Sequence, residues 1–281
     1  YVDLRGRPAV RFGAEDAIWE QLSWMFTHPA IYVLALPVLG IALDVISSAT
    51  GTETANRGVL LVATAAFGFL SFGAYAQSFF DTPGTPIMEE AIYVLNAFAI
   101  IPIALAILGG VADLLRRGRS NLGSKPPAPV VLLLLAVLLV VAGTVLGAIR
   151  VVAPWDLLGT SVTGAQFTLI VGAAIIGTVA GLNHWGEDLL GSPGSPGLIL
   201  LGGLAATLGV ALIGAADAIS GFSGQADFTG VDLATAGYPG SGVGALNAVA
   251  LLGAAAFLAA GLIWMFAGVR HLMADTEAEV A

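Results

Sequence analysis

The sequence has no cysteine, a single lysine at position 125 and three histidines, His28, His184 and His271, in 281 residues. Without cysteine there are no disulfides, thiolate-held zinc sites or iron–sulfur clusters. With Lys125 in a polar stretch, no late helix carries the lysine that a retinal Schiff base needs. Three imidazoles leave little for a transition-metal cluster. Charge is scarce too: 10% of residues are Asp, Glu, Lys or Arg, against about 25% in a soluble domain. The net charge of −9 disfavours nucleic acid and anionic surfaces as partners.

What the chain does have is apolar length, with 57% hydrophobic residues arranged in runs of 20 or more. Runs of that length match a hydrocarbon layer about 30 Å thick. They predict an all-α membrane protein of about seven transmembrane helices, near 22–47, 58–80, 91–115, 129–152, 162–185, 197–223 and 243–269. Gly202, Gly203, Gly214 and Gly253 stand where small residues let helices approach closely in lipid. Arg116, Arg117, Arg119 and Lys125 crowd one connection, which the positive-inside rule makes cytoplasmic. The N-terminus is then outside and the C-terminus inside. The expected division is an external or interfacial segment 1–19, a transmembrane domain 20–273 and an acidic cytoplasmic tail 274–281. The start at Tyr1 and the odd number of spans lead us to expect a preceding segment. Trp19, Trp24, Trp155, Trp185 and Trp264 fall near span ends, as interfacial anchors do.

Few residues here carry chemistry. His28 and Tyr32 are four apart and share a helix face. A histidine hydrogen-bonded near the interface is the plainer reading, because one imidazole does not hold a metal alone. Glu89 and Glu90, opening the third span, are candidates for an acidic mouth, although acids also suit the first turn of any helix. Asp44 and Asp217 are the other acids placed within spans, with a proton or ion path as the sharper reading and helix-end acids as the plainer one. His184 beside Glu187 and Asp188 suggests a pH-sensitive cluster or, more simply, an interfacial hydrogen-bond network.

The stretch Ile18-Trp19-Glu20-Gln21-Leu22-Ser23-Trp24-Met25-Phe26-Thr27-His28-Pro29-Ala30-Ile31-Tyr32, followed by Leu36-Pro37 and Gly40, resembles the sixth helix of haem-copper oxidase subunit I. The resemblance continues through Phe69-Leu70-Ser71-Phe72-Gly73, Pro86, Ile101-Pro102 and Asn183-His184-Trp185. It implies helices six to twelve of a twelve-helix fold, with the same outside start and inside end. In that family the helix-six histidine binds copper and is joined to the tyrosine four residues on, the positions of His28 and Tyr32 here. The resemblance places the other two copper ligands at Gln77 and Ser78, the haem ligands at Gln166 and Thr168, and a proton-path lysine at Ala106. None of these has the family's residue type.

The resemblance therefore implies a subunit I-like component of a respiratory terminal oxidase complex, in a prokaryotic plasma membrane, itself non-catalytic and structural. It implies that this chain holds no haem and no copper, such groups coming from a partner chain. Its partners are the lipid bilayer and other oxidase or respiratory-complex subunits, and not nucleic acid. Two other readings stand beside it: the C-terminal half of an active oxidase whose haem ligands lie in a preceding segment, and a proton or ion channel or transporter that reuses the bundle.

Overall fold

A computed structural model describes residues 15–71, 87–155, 157, 159–186, 188, 195–225 and 243–280. For 15–29, 87–90, 153, 243, 272 and 274–280 it describes the backbone alone. Among the described residues the chain forms α1 (Glu15–Thr50), α2 (Arg57–Leu70), α3 (Ile87–Arg117), α4 (Ala128–Arg150), α5 (Val162–His184), α6 (Pro196–Phe222) and α7 (Val243–Val280), with a short 3-10 turn at Ala153–Trp155. Helices are what such a sequence must form: in hydrocarbon every backbone N–H and C=O needs an internal partner, and a helix supplies one within its own segment.

Six of these helices are long and apolar enough to cross a membrane: Ala30–Thr50, Ala91–Arg117, Ala128–Arg150, Val162–His184, Pro196–Phe222 and Gly244–His271. The described part of the remaining apolar helix, α2, is 14 residues long. The chain is an all-α, multi-pass membrane bundle. Pro102 sits inside α3. Membrane helices tolerate an internal proline where neighbouring helices or local adjustment re-satisfy the freed carbonyl.

The centre of the bundle is built from α1, α4 and α5, each packed on the other two. α3 lies against α1 and α4, and α2 against α1 and α3. α6 packs on α4 and α5 and carries α7 on its far side. Leu39, Ile46, Ile107, Leu132, Leu133, Ile170 and Ile176 are fully buried in one continuous core.

The end of the bundle that holds the α1–α2 and α3–α4 connections is closed by polar contacts. α1 stops in a Schellman motif: Thr52 N donates to Ser47 O at 3.2 Å and Gly51 N to Ser48 O at 3.1 Å, with Gly51 at φ 57°. Asn121 Nδ2 reaches across from the α3–α4 connection to donate to Thr50 O at 2.6 Å. Arg116 and Arg117 pair with Asp113 at 3.0 and 2.7 Å, and Arg117 also donates to Glu53 O at 2.9 Å. At the other end Ser161 Oγ donates to Asp217 O at 2.8 Å and Ser161 N to Gln225 O at 2.9 Å, tying the start of α5 to the end of α6.

Candidate functional site: a polar cavity inside the bundle

Near the end opposite the basic connection, five helices leave a cavity of about 30 Å³. α1 lines it with Ile31 and Tyr32, and α2 with Phe67. α3 contributes Tyr93, Asn96, Ala97 and Ile100, a spacing that keeps four side chains on one helix face. α4 contributes Thr144, Gly147 and Arg150, and α5 contributes Gln166.

Two hydrogen-bonded groups define its chemistry. Arg150, the last residue of α4 and 2% exposed, donates through Nη2 to Tyr93 Oη at 2.6 Å and through Nη1 to Thr163 Oγ1 at 3.3 Å. One guanidinium thus links α3, α4 and α5, and its place at a helix C-terminus puts the charge where the helix dipole favours a cation. A buried cation in a bilayer is costly unless it is held this way. The second group is Asn96 Nδ2, which donates to Tyr32 Oη at 3.5 Å, near the outer limit for such a bond. The Tyr32 ring is steadied against Phe67, with centroids 5.6 Å apart.

Gln166 stands apart from both. It is 7% exposed, and its Oε1 is buried with no hydrogen-bond partner among the described residues. Its position depends on two glycines one turn apart on α4. A Cβ on Gly147 would run into the Gln166 amide, and a Cβ on Gly143 would come within 2.9 Å of Ile170. The α4 backbone is therefore close to α5 only because these positions carry no side chain.

Of the residues singled out in the sequence, Tyr32 and Gln166 meet in this cavity. Thr168 is half-buried on α5 and Ala106 is exposed on α3, and neither lines the cavity. Asp44 is exposed on α1, near the basic end, and Asp217 is half-buried near the end of α6; they do not converge. Gln77 and Ser78 lie outside the described residues, and for His28, Glu89 and Glu90 only the backbone within α1 and α3 is described. Among the described residues no three His, Cys, Asp or Glu side chains gather as metal ligands would. His184 makes an edge contact with Trp185, centroids 6.4 Å apart, and Asp188 is exposed. Arg150, Tyr93, Asn96 and Thr163 are the site residues that sequence reading did not pick out. The available signal was slight: a lone asparagine within one apolar run, where polar groups in membranes are expensive, and an arginine closing another.

The chain is thus a multi-pass helical membrane bundle with a polar, cation-bearing cavity set toward one end. Residues 8–256 match the family described as Cytochrome C and Quinol oxidase polypeptide I, and the chain belongs to it. It is 30% identical over 197 residues to a heme-copper oxidase subunit I+III of Aeropyrum pernix, covering 69% of this chain and 24% of that protein. It is 29% identical over 181 residues to a cytochrome c oxidase subunit 1 of Bacillus subtilis, covering 64% and 28%. It is 26% identical over 184 residues to a cytochrome bo(3) ubiquinol oxidase subunit 1 of Buchnera aphidicola subsp. Schizaphis graminum, covering 64% and 27%. The matched stretch thus spans about a quarter of each relative's length.

Proposed function

We propose that the chain is a subunit I-like component of a respiratory terminal oxidase complex and that its own role is structural, without a reaction centre. The observation that carries this reading is Gln166. It occupies the position that the family resemblance assigns to a haem ligand, and it presents a carboxamide to a cavity of about 30 Å³. Haem iron takes its axial bond from imidazole, thiolate, thioether or phenolate, and a neutral amide is a weak substitute. The nearby phenols are engaged, Tyr93 with Arg150 and Tyr32 with Asn96. A space of this size suits about two water molecules rather than a macrocycle. The residues present do not fit a haem held from Gln166.

Thr168, Gln77 and Ser78 extend the argument at the level of residue type: in the family's ligand positions they offer hydroxyl and amide donors where copper and haem take imidazole. Haem and copper then belong to partner chains, and this chain meets the bilayer and other oxidase subunits. We place it in a prokaryotic plasma membrane with the N-terminus outside and the C-terminus cytoplasmic. The support is that Arg116, Arg117, Arg119 and Lys125 share one end of the bundle. The segment 1–19 is then external, 20–273 the membrane domain and 274–281 a cytoplasmic tail.

A second reading, the C-terminal half of an active oxidase, is favoured by one observation: the relatives are far longer than the matched stretch. An absorbance spectrum with metal analysis of the purified full chain tests the first reading. We expect no Soret band and no stoichiometric iron or copper. A haem whose spectrum shifts on Gln166→His or Gln166→Leu would overturn it.

A further inference from the structure

We propose that the outward face of α1 is a docking surface for a transmembrane helix of a partner subunit, one that presents an arginine or lysine to Asp44. The proposal deepens, and rests on, the reading that this chain packs within an oxidase complex. Val33, Pro37, Gly40, Asp44 and Ser48 are all exposed and follow one another at spacings of four, three, four and four residues, which sets them in one stripe along the helix. Other outward surfaces are of a different kind. α2 turns Val59, Leu61 and Val62 outward, and α7 turns Leu251, Leu258, Met265 and Phe266, all between 59% and 71% exposed. Large apolar side chains of that sort suit lipid tails, whereas small and polar residues mark where one membrane helix meets another.

Three groups in the stripe define what covers it. Pro37 has no N–H, so Val33 O loses its helical donor near the middle of the run expected to span at 22–47. Nothing lies within 4 Å of where a Cβ on Gly40 would stand, so a neighbouring backbone can come close. Asp44 lies about 9 Å inside the end of α1 at Thr50, and its carboxylate has no partner among the described residues. Ionisable groups within membrane spans pair with one another or face a protein interior. Lipid tails offer Asp44 neither a donor nor a charge, whereas a guanidinium or ammonium group on a facing helix offers both and leaves the pair neutral. A second copy docked two-fold through this same face would set Asp44 against Asp44, so the occupant is a different chain.

The photo-crosslinker p-benzoylphenylalanine, encoded in the full chain at Val33, at Ser48 or at the control position Val62, tests this after irradiation of intact host membranes and mass spectrometry of the adducts. Val33 and Ser48 should each give one discrete protein adduct, at about five-fold the yield from Val62, with the crosslinked peptide an apolar helix carrying an arginine or lysine. Asp44 contacts nothing within the described bundle, so its variants leave the fold intact. Asp44→Asn should lower the yield about five-fold, and Asp44→Glu, which keeps the charge, should hold it. Adducts to lipid alone, or equal yields at all three positions, overturn the docking surface. An adduct to a second copy of this chain, or a yield unchanged by Asp44→Asn, overturns the partner assigned to it. The visible spectrum of the solubilised complex separates this proposal from the reading beneath it. A specific adduct in a complex free of haem proteins defeats the oxidase-assembly reading and supports the docking surface, whereas lipid adducts alone in a haem-containing complex defeat the docking surface.

Discussion

The α4–α5 and α6–α7 interfaces are both closed by glycine, yet they do opposite things with the closeness. On α4, Gly143 and Gly147 make room for side chains, Ile170 and the Gln166 amide, and the result is a polar cavity. On α6 and α7, Gly209 and Gly253 face each other so tightly that a Cβ on either would meet the other's carbonyl oxygen, at 2.5 and 2.7 Å. Backbone meets backbone there and no space remains. The surroundings differ as well: 56% of the α4 span is buried inside the bundle, against 11% of the α7 span. Lipid tails are as apolar as leucine, so burial of apolar surface does not hold α7 in place. Close backbone packing does, whereas the α4–α5 region adds hydrogen bonds. Small residues are thus a way to bring helices together, and what the neighbouring side chains are decides whether a seam or a site results.

The seam should be the more fragile of the two. Gly209→Leu places a branched side chain against Gly253 O and the Phe257 backbone, neither of which can retreat without moving α7. We expect a loss of about 3 kcal/mol, at the upper end for overpacking, measured by steric trapping or thermal unfolding in bicelles. An unchanged stability would mean that α7 does not depend on this crossing. In the polar region, Arg150→Ala removes the donor that bridges Tyr93 and Thr163, and a charged hydrogen-bond hub of this kind is worth about 2 kcal/mol. Tyr93→Phe removes one acceptor only. Single interhelical hydrogen bonds in bilayers average about 0.6 and reach about 1.7 kcal/mol, so a loss near the upper figure is expected for a short bond to a charge. A double-mutant cycle between Arg150→Ala and Tyr93→Phe should recover most of that loss as coupling. Additive effects would break the contrast, leaving both regions held by packing alone.

How legible this was in the sequence depends on the element. The spans expected at 129–152, 162–185 and 197–223 lie within two residues of α4, α5 and α6, because there the apolar run and the helix end together. The runs at 22–47 and 243–269 mark only parts of α1 and α7, which continue to Glu15 and to Val280. Hydropathy reports where a helix meets lipid, and a helix can extend into water without changing its backbone. Tyr32 and Gln166 were legible through the family resemblance. Arg150 was not: an arginine closing an apolar run reads as an interfacial anchor, and only tertiary structure shows the guanidinium turned inward onto Tyr93. Asn96 was hidden for a related reason, since a single polar residue in a span carries no periodicity of its own.

Trp264 offers the smallest test and the one closest to the comparison, because it adds a polar contact to the otherwise apolar α6–α7 seam. Its indole Nε1 donates to Ile199 O at 3.3 Å, and the ring fills the space a side chain on Gly202 would need. Ile199 O lies in the first turns of α6, so the bond ties the middle of α7 to the start of α6, while Gly209 and Gly253 fix the crossing about three turns away. Trp264→Phe keeps an aromatic ring against Gly202 and loses only the donor. The expected cost is therefore about 0.6 kcal/mol, the average for one interhelical hydrogen bond in a bilayer, again read by steric trapping. In a Gly209→Leu background the same substitution should cost close to nothing, since displacement of α7 already breaks the contact. If the Trp264→Phe cost persists in that background, α7 stays docked without the Gly209–Gly253 approach, and the seam would be held by the indole contact rather than by its glycines.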